Sequence, residues 1–275
     1  MPHRWTKAAE LRRDQIESGL DITFNRVFVP FFLNCVEQYR PRSILEVGCG
    51  TGHLAARLAG ACPHVEALEP SPGMHAVATA VLGKSPVRLH CSSVESFRPK
   101  HRFDLVVSHL CVHVVADVDR FCRACSSVMA TQGLFVFSLP HPCFWNDYKE
   151  FFSRLNYRYV EERFASVTWT ITKDAGRPID GVPFHHRPLG RYVTALARCG
   201  MALKQLDEIV PSAAVQKLYG QEWKTPRYCA LHAIRVSLGY CSSPDGVCAA
   251  LQIDGGANYG PEEPGEGEGS IGEII

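Results

Sequence analysis

Three glycines at alternate positions, with acidic side chains near them, are the residues of this 275-residue chain whose types and spacing best suit ligand chemistry. Gly48, Gly50 and Gly52 follow the strand-like run SILEV and precede a helical pattern. Such a turn lets the backbone approach a ligand, and the helix beyond it offers free N–H groups. The spacing is G-x-G-x-G, whereas a dinucleotide-binding turn has G-x-G-x-x-G. Glu46 would repel a pyrophosphate and attract an ammonium group, which favours a ligand with an amino-acid moiety.

A second acidic residue further limits the class of ligand that the turn could bind. Glu69 ends the next strand-like run, VEALE, about 20 residues past the turn, where βαβ nucleotide folds place an acid that accepts both ribose hydroxyls. The ligand would then have a free ribose and an amino-acid end, and S-adenosylmethionine fits both requirements. These residues therefore predict an S-adenosylmethionine site, with S-adenosylhomocysteine as the product.

The elements that must position these residues alternate between short apolar runs and helical patterns from residue 43 to about 139. Runs such as FDLVVSH and LFVFSL are almost wholly apolar, as strands covered on both faces should be. Two later strand-like runs, 201–210 and 228–238, have no crossover between them. We predict an α/β, doubly wound, Rossmann-like sheet of seven mostly parallel strands with an antiparallel last strand.

Composition divides the chain into three parts, the second of which contains an insertion. Residues 1–42 form a helical lead-in or lid, in which Phe24 and Asn25 could close over the donor, although amphipathic packing is the alternative. Residues 43–238 form the main domain, with an aromatic-rich cap insertion at 141–188. Residues 239–275 contain seven acids and no Lys or Arg, and their Gly, Pro and Glu content predicts a disordered acidic tail.

Bulk properties exclude several classes of protein. The start of the chain is polar and charged, and no apolar run is long enough to cross a bilayer, so we expect a cytoplasmic protein that is not in a membrane. The residues before the tail carry 29 basic and 21 acidic side chains, a net charge of +8 that mildly favours an anionic ligand. The 12 cysteines are scattered, with one close pair, Cys122 and Cys125, so we expect free thiols and no metal.

At this point the chain resembles the class I S-adenosylmethionine-dependent methyltransferases, in particular the UbiE/UbiG-like group called type 11. EVGCGTG, starting at Glu46, resembles the first motif of the family. FDLVVSHLCVHVVAD, residues 103–117, resembles its fourth-strand motif. CSSVESF, residues 91–97, stands where the family often has G-D-A-E-x-x-x-F. The resemblance covers residues 44–139 well and the later part more loosely.

The resemblance implies a donor site around the glycine turn. The methionine part would be surrounded by the first motif, the ribose would be held by Glu69, and the adenine would lie beside the start of the next helix and the third strand. At one of these positions the sequence departs from the family, which often has an acid where this chain has Ser92. The implied donor-binding residues are Glu46, Gly48, Cys49, Gly50, Gly52, Glu69, Pro70, Ser71, Met74, Ser92, Ser93, Val94, Ser108 and His109.

Three histidines are candidate general bases for methyl transfer. His113 lies just past the fourth strand, His141 follows the fifth strand, and His186 stands in an HRPL element similar to one in bacterial members of the group. Packing or loop ordering is the alternative for each. Trp145, together with Tyr148 and Trp169, could form an aromatic wall for a flat acceptor, and core filling is the alternative.

The sequence thus predicts a methyltransferase acting on an oxygen, or a nitrogen, of a small organic acceptor, as a monomer or a homodimer. Four alternatives stay open: an RNA or DNA methyltransferase, a peptide methyltransferase, an arsenite methyltransferase and a non-catalytic protein that binds the donor. Nucleic acid is not expected, because SHLC stands where enzymes acting on exocyclic base amines usually carry [DNS]-P-P-[YFW].

Overall fold

The computed structural model describes residues 2–236, which belong to one compact unit. Nine strands follow one another along this part of the chain. They are β1 (Ser43–Val47), β2 (His64–Leu68), β3 (Arg88–His90), β4 (Phe103–His109), β5 (Met129–Pro140), β6 (Arg163–Trp169), β7 (Ile179–His186), β8 (Met201–Ile209) and β9 (Tyr228–Arg235).

Seven of these strands form one sheet in the order β3-β2-β1-β4-β5-β9-β8. The first five pair in parallel, whereas β9 lies between β5 and β8 and is antiparallel to both. The predicted seven-stranded, mostly parallel sheet with an antiparallel last strand is confirmed. The order reverses between β1 and β4, and ligands of open α/β sheets bind at the carboxyl ends of the strands beside such a reversal.

Eight α-helices accompany the described strands. They are α1 (Pro2–Glu17), α2 (Val29–Tyr39), α3 (His53–Leu58), α4 (Pro72–Leu82), α5 (Val118–Val128), α6 (Trp145–Lys149), α7 (Leu189–Arg198) and α8 (Ala213–Tyr219). The short helix α8 lies between β8 and β9, where the sequence predicted only a connection.

Apolar side chains cover both faces of the sheet, which explains the apolar character of its central strands. Alternate residues of β1 enter opposite clusters: Ile44 packs with α2, α3 and α4, and Leu45 packs with α5 and α7. Local sequence fixes several helix starts. Asp117, for example, caps α5 by accepting a hydrogen bond from the backbone N–H of Arg120 at 2.9 Å.

The cap insertion contains a two-stranded antiparallel hairpin, β6 and β7, in addition to the short helix α6. This hairpin was not predicted, because the sequence of 141–188 showed no clear βα unit. Its far end is tied to α1, where Gln15 Nε2 donates to Asp174 Oδ2 at 2.9 Å and Arg177 pairs with Asp14 at 2.7 Å. The cap and the N-terminal helix therefore meet over one edge of the sheet.

Three sequence predictions concern bulk properties. Among the described helices, none combines the length and the apolar character needed to cross a bilayer. Ten cysteines in this part of the chain are free thiols, and its Cys, His, Asp and Glu side chains form no group of three or more that could hold a metal ion. The predicted acidic tail, residues 239–275, lies outside the described residues.

Candidate active site

A cavity of about 230 Å³ opens at the carboxyl ends of β1, β2 and β4. The glycine turn forms its floor, the segment after β4 forms one wall, and α1 and the cap hairpin cover it. Its lining combines eight of the residues predicted to hold the donor with one predicted base. These are Glu46, Gly48, Cys49, Gly50, Glu69, Pro70, Met74, His109 and His113.

Glu69 is fixed at the end of β2 by two backbone donors. Its Oε2 accepts the N–H of Gly50 at 2.8 Å, and its Oε1 accepts the N–H of Ser71 at 2.8 Å. A carboxylate has about four acceptor positions, so two remain for a ligand. Burial raises the pKa of Glu69 to about 7, and the two backbone hydrogen bonds oppose that rise.

Glu46 lies deeper, at 2% exposure, on β1. Its Oε2 has no hydrogen-bond partner within the described chain, while the backbone N–H of Ala55 donates to the carboxylate. Burial, followed by the charge of Glu69, raises the pKa of Glu46 to about 8. Because a buried polar atom without a partner is costly, this oxygen is suited to a cationic or hydrogen-bonding ligand.

The three glycines of the turn have different surroundings, although all have φ between +56° and +79°. A Cβ at Gly50 would meet nothing within 4 Å, so this residue is the open floor of the cavity. A Cβ at Gly48 would lie 2.7 Å from Cys111 Sγ, and one at Gly52 would lie 3.1 Å from the Cβ of Ala78 on α4. Gly52 therefore permits helix packing and does not line the cavity.

Five further predicted donor residues do not line this cavity. Ser108 is fully buried and its hydroxyl donates to the carbonyl of Val47 at 3.0 Å. The backbone of Ser71 supports Glu69, as described above. The remaining three residues, Ser92, Ser93 and Val94, follow β3. Their contacts with the adenine stay predictions.

His113 and Trp169 form the wall opposite the glycine turn. Their rings stack with centroids 5.6 Å apart, and the indole of Trp145 stacks in turn on Trp169 at 5.3 Å. Burial lowers the pKa of His113 to about 3, with further lowering from nearby positive groups. Its Nδ1 has no hydrogen-bond partner among residues 2–236. Trp169 lines the cavity, whereas Trp145 is almost wholly buried, which fits the alternative of core filling for Trp145. The use of Trp169 as a wall for an acceptor stays a prediction.

His109 joins this wall to the helices before β1. Its Nδ1 lies 2.8 Å from the hydroxyl of Ser138, and its ring packs against Phe24 and Phe28. Burial lowers its pKa to about 3, so the ring is neutral at physiological pH. Phe24 lines the cavity and also packs in the apolar core, whereas Asn25 donates to the carbonyls of Ile16 and Asp21 and holds the turn between the helices. Closure of these two residues over the donor stays a prediction.

The structure does not bring His141 to the cavity. The ring is 1% exposed, and its Nε2 lies 3.0 Å from Glu208 Oε1 on β8. Its Nδ1 accepts the backbone N–H of Cys143 at 3.2 Å. Both ring nitrogens therefore have partners around the turn after β5, and His141 is absent from the cavity lining. These contacts favour the alternative of loop ordering, and the role of His141 as a base stays a prediction.

His186 is also outside the cavity, at the end of β7. Its Nε2 lies 2.8 Å from the carbonyl oxygen of Tyr159, and its ring packs against Tyr157 and Phe152. A hydrogen bond donated by this ring nitrogen to that carbonyl anchors the cap. This contact favours a packing role for His186, and its role as a base stays a prediction. No local motif reveals the contact, because the carbonyl partner lies 27 positions away in the chain.

Sequence reasoning missed the contribution of α1, although it predicted a lid in this region. Trp5, Arg12 and Ile16 all line the cavity. The helix packs closely on the start of α4, because a Cβ at Gly73 would lie only 2.5 Å from Thr6. The Thr6 side chain also lies within hydrogen-bond distance of Ser71 Oγ, at 3.2 Å, beside Glu69.

Comparisons with known proteins agree with this geometry. Residues 45–137 match the family described as a methyltransferase domain. A ubiquinone biosynthesis O-methyltransferase of Bradyrhizobium diazoefficiens is 33% identical over 108 residues, 38% of this chain and 42% of the relative. A malonyl-[acyl-carrier protein] O-methyltransferase of Anoxybacillus flavithermus is 38% identical over 71 residues, 25% of this chain and 27% of the relative. The chain thus spans less than half the length of these relatives.

Solved structures extend the likeness of fold beyond the matched domain. An S-adenosylmethionine-dependent methyltransferase from Mesorhizobium loti superposes with a TM-score of 0.55 at 24% identity, covering 74% of this chain and 96% of that one. One from Clostridium acetobutylicum gives 0.57 at 13% identity, covering 83% and 98%. Residues 45–137 thus form a methyltransferase domain within a chain of class I methyltransferase fold, and the resemblance found in the sequence is confirmed.

Proposed function

We propose that this protein is an S-adenosylmethionine-dependent methyltransferase that methylates an oxygen, or alternatively a nitrogen, of a small organic acceptor. One observation carries the proposal: two buried carboxylates, Glu46 and Glu69, face one cavity at the carboxyl ends of parallel strands, and Glu46 Oε2 has no partner in the described chain.

The residues present fit the donor. Glu69 keeps two free acceptor positions for ribose hydroxyls, and the partnerless oxygen of Glu46 suits an ammonium group. Gly50 leaves space for a ligand against the backbone. Burial and the charge of Glu69 disfavour the ionised form of Glu46 in the free protein, and a cationic ligand would favour that ionised form.

The chain mainly has to position the reacting groups. When bound, S-adenosylmethionine supplies a methyl group on a positively charged sulfur. The acceptor atom would attack the methyl carbon in line with the carbon–sulfur bond, and the sulfur would leave. Trp169 and His113 offer a flat wall on which an aromatic or conjugated acceptor could be oriented. Residues of α1 and of the cap hairpin cover part of the cavity, and such cover reduces the access of water to reacting groups.

His113 is the residue we propose to receive the acceptor proton. It is buried, its low pKa keeps the ring neutral, and one ring nitrogen has no partner among residues 2–236. A base of such low pKa is weak, but a hydroxyl oxygen becomes strongly acidic as it gains a methyl group. His113 is therefore suited to take a proton late in the transfer.

Oxygen is preferred as the acceptor atom because the named relatives above are O-methyltransferases of ubiquinone biosynthesis and of malonyl-[acyl-carrier protein]. This support comes from proteins that match only part of the chain. A cytoplasmic location and the absence of a nucleic-acid acceptor stay predictions, as does the choice between monomer and homodimer.

Methyl transfer from labelled donor to a panel of small phenols, carboxylic acids and amines tests the proposal. With the best acceptor, His113→Ala should lower kcat by about 10²-fold or more, whereas donor affinity should change little. His64→Ala, at an exposed position at the start of β2, is the matched control and should match the wild type. Full turnover in His113→Ala would mean that positioning alone carries the reaction, and labelling of RNA but of no small molecule would contradict the proposal.

A further inference from the structure

A second, smaller cavity of about 50 Å³ adjoins the first. Its lining comes from α1 and the segment between α1 and α2, the end of β4, α6, the end of β6 with the segment after it, the loop before β9 and the first residue of β9. Of the residues assigned to the donor, His109 alone is part of this lining. The two cavities share five lining residues, so they adjoin each other along these residues. The shared residues are Arg12, Phe24, His109, Leu110 and Trp169.

Arg227 is the most unusual side chain of this second cavity. It is 7% exposed, and its guanidinium lies between two rings, 3.8 Å from the centroid of Tyr148 and 4.4 Å from that of Trp223. Its Nη1 has no hydrogen-bond partner in the described part of the chain. A buried guanidinium held flat between rings, with a donor left free, is ready to bind a planar anion.

A second cation lies on the same ring. Lys149 Nζ is 4.9 Å from the centroid of Tyr148 and donates to Thr170 Oγ1 at 3.0 Å. Burial lowers the pKa of Lys149, and the charge of Arg227 lowers it further, while Tyr148 opposes both. Two like charges in a half-enclosed space destabilise each other unless an anion joins them.

The acidic residue in the lining cannot supply that anion. Asp21 is paired with Arg12 through one carboxylate oxygen, and its other oxygen accepts the backbone N–H of Phe24 at 2.9 Å. Counting Arg12, Lys149 and Arg227 against Asp21, the lining carries a net charge of +2, since His109 is neutral. The positive charge therefore remains available to a ligand.

We infer that this second cavity binds a carboxylate of the methyl acceptor, held by the guanidinium of Arg227 and the ammonium of Lys149. That the bound molecule is the methyl acceptor rests on the proposed function. The anion site itself is inferred from the contacts of Arg227 alone. A carboxylate matches the planar fork of a guanidinium in two parallel hydrogen bonds. The rest of the acceptor would then extend past Trp169 towards the donor cavity.

Ligand-observed fluorine NMR tests the site with para-fluorobenzoate, para-fluorobenzamide and para-fluorophenylphosphonate. The wild type should bind the benzoate at least about tenfold more tightly than the neutral amide, as hydrogen bonds to a charged group imply. Arg227→Met keeps the stacking volume and should abolish this preference. Arg154→Met, which removes an exposed cation of the cap, is the matched control and should retain it.

Lys149→Met provides a second variant, with thermal melts to check folding, and should weaken benzoate binding in the same direction. Equal affinity for benzoate and benzamide, a preference unchanged in Arg227→Met and Lys149→Met, or tighter binding of the phosphonate would each overturn the carboxylate assignment. S-adenosylmethionine is titrated into the same samples. Its failure to bind would contradict the proposed function, whereas the benzoate preference alone decides the anion site.

Discussion

Among single residues, Glu46 and Glu69 dominate the electrostatics of the donor cavity. Both carboxyls are buried at the ends of neighbouring parallel strands, where desolvation and, for Glu46, the charge of its neighbour favour the protonated form. The sequence predicted these two residues because their spacing relative to the glycine turn fixes them at one edge of the sheet. It could not reveal that Glu46 would have an oxygen without a partner, since that depends on how tightly α3 and β4 close around it.

The raised pKa values predict how stability depends on pH. The folded protein holds protons on Glu46 up to about pH 8 and on Glu69 up to about pH 7, whereas the unfolded chain loses them near 4.5. The free energy of unfolding should therefore fall as pH rises through this window. Below about pH 6.5, His109 and His113 have the opposite effect, and their contribution to stability falls as pH falls. The unfolded chain takes up protons on these histidines there, whereas their pKa values in the folded protein lie near 3.

Thermal melts of the donor-free protein between pH 6.5 and 8 measure the effect of the two carboxylates on stability with little contribution from His109 and His113. We expect the wild-type melting temperature to fall over this interval and that of Glu46→Gln to fall less, because the amide cannot ionise. The advantage of Glu46→Gln over the wild type should therefore grow with pH. Parallel curves for the two proteins would show that Glu46 ionises freely in the folded state.

At the scale of elements, α1 completes the donor cavity by packing against α4. Gly73, the second residue of α4, allows this contact, since a Cβ there would overlap Thr6. Gly73→Ala should push α1 away from Glu69 and Ser71 and weaken donor binding severalfold while the sheet stays folded. The matched control is Gly190→Ala, the second residue of α7, where a Cβ meets nothing within 4 Å.

Calorimetric titration of the two variants with S-adenosylmethionine, together with circular dichroism, measures this effect. Gly190→Ala should bind like the wild type. If Gly73→Ala also binds like the wild type, α1 either adapts to the extra methyl group or contributes nothing to the donor site.

The alternating elements were predictable and the cap was not, for a physical reason. Strands such as β4 and β5 are buried on both faces and read as apolar runs, so 43–139 was assigned correctly. The hairpin of β6 and β7 was missed although residues 165–171, ASVTWTI, alternate apolar and polar side chains, because an isolated hairpin does not continue the alternation of strands and helices that precedes it. The structural roles of His141 and His186 depend on partners such as Glu208, 67 residues away, which no local pattern encodes.

On the scale of the whole molecule, the reacting groups and both cavities gather at the edge where the strand order reverses. The donor cavity lies at the carboxyl ends of β1, β2 and β4, and the Arg227 cavity lies beside it near the start of β9. The two cavities adjoin along shared lining residues that include His109 and Trp169. An anionic group of the acceptor bound at Arg227 and a cationic donor bound at Glu46 would therefore lie in adjoining cavities, each beside charges of the opposite sign.

The most direct test of this account is calorimetric titration of the full chain with S-adenosylmethionine, comparing the wild type with Glu69→Ala and Glu66→Ala. Glu66 lies on the same strand, but it pairs with His90 at 2.7 Å outside the cavity, so its removal controls for the loss of an acid from β2. We predict saturable binding to the wild type and to Glu66→Ala. Glu69→Ala should bind about 10- to 100-fold more weakly, because two hydrogen bonds to a charged acceptor are lost. Equal affinity for all three proteins, or no binding to the wild type, would contradict the donor site proposed here.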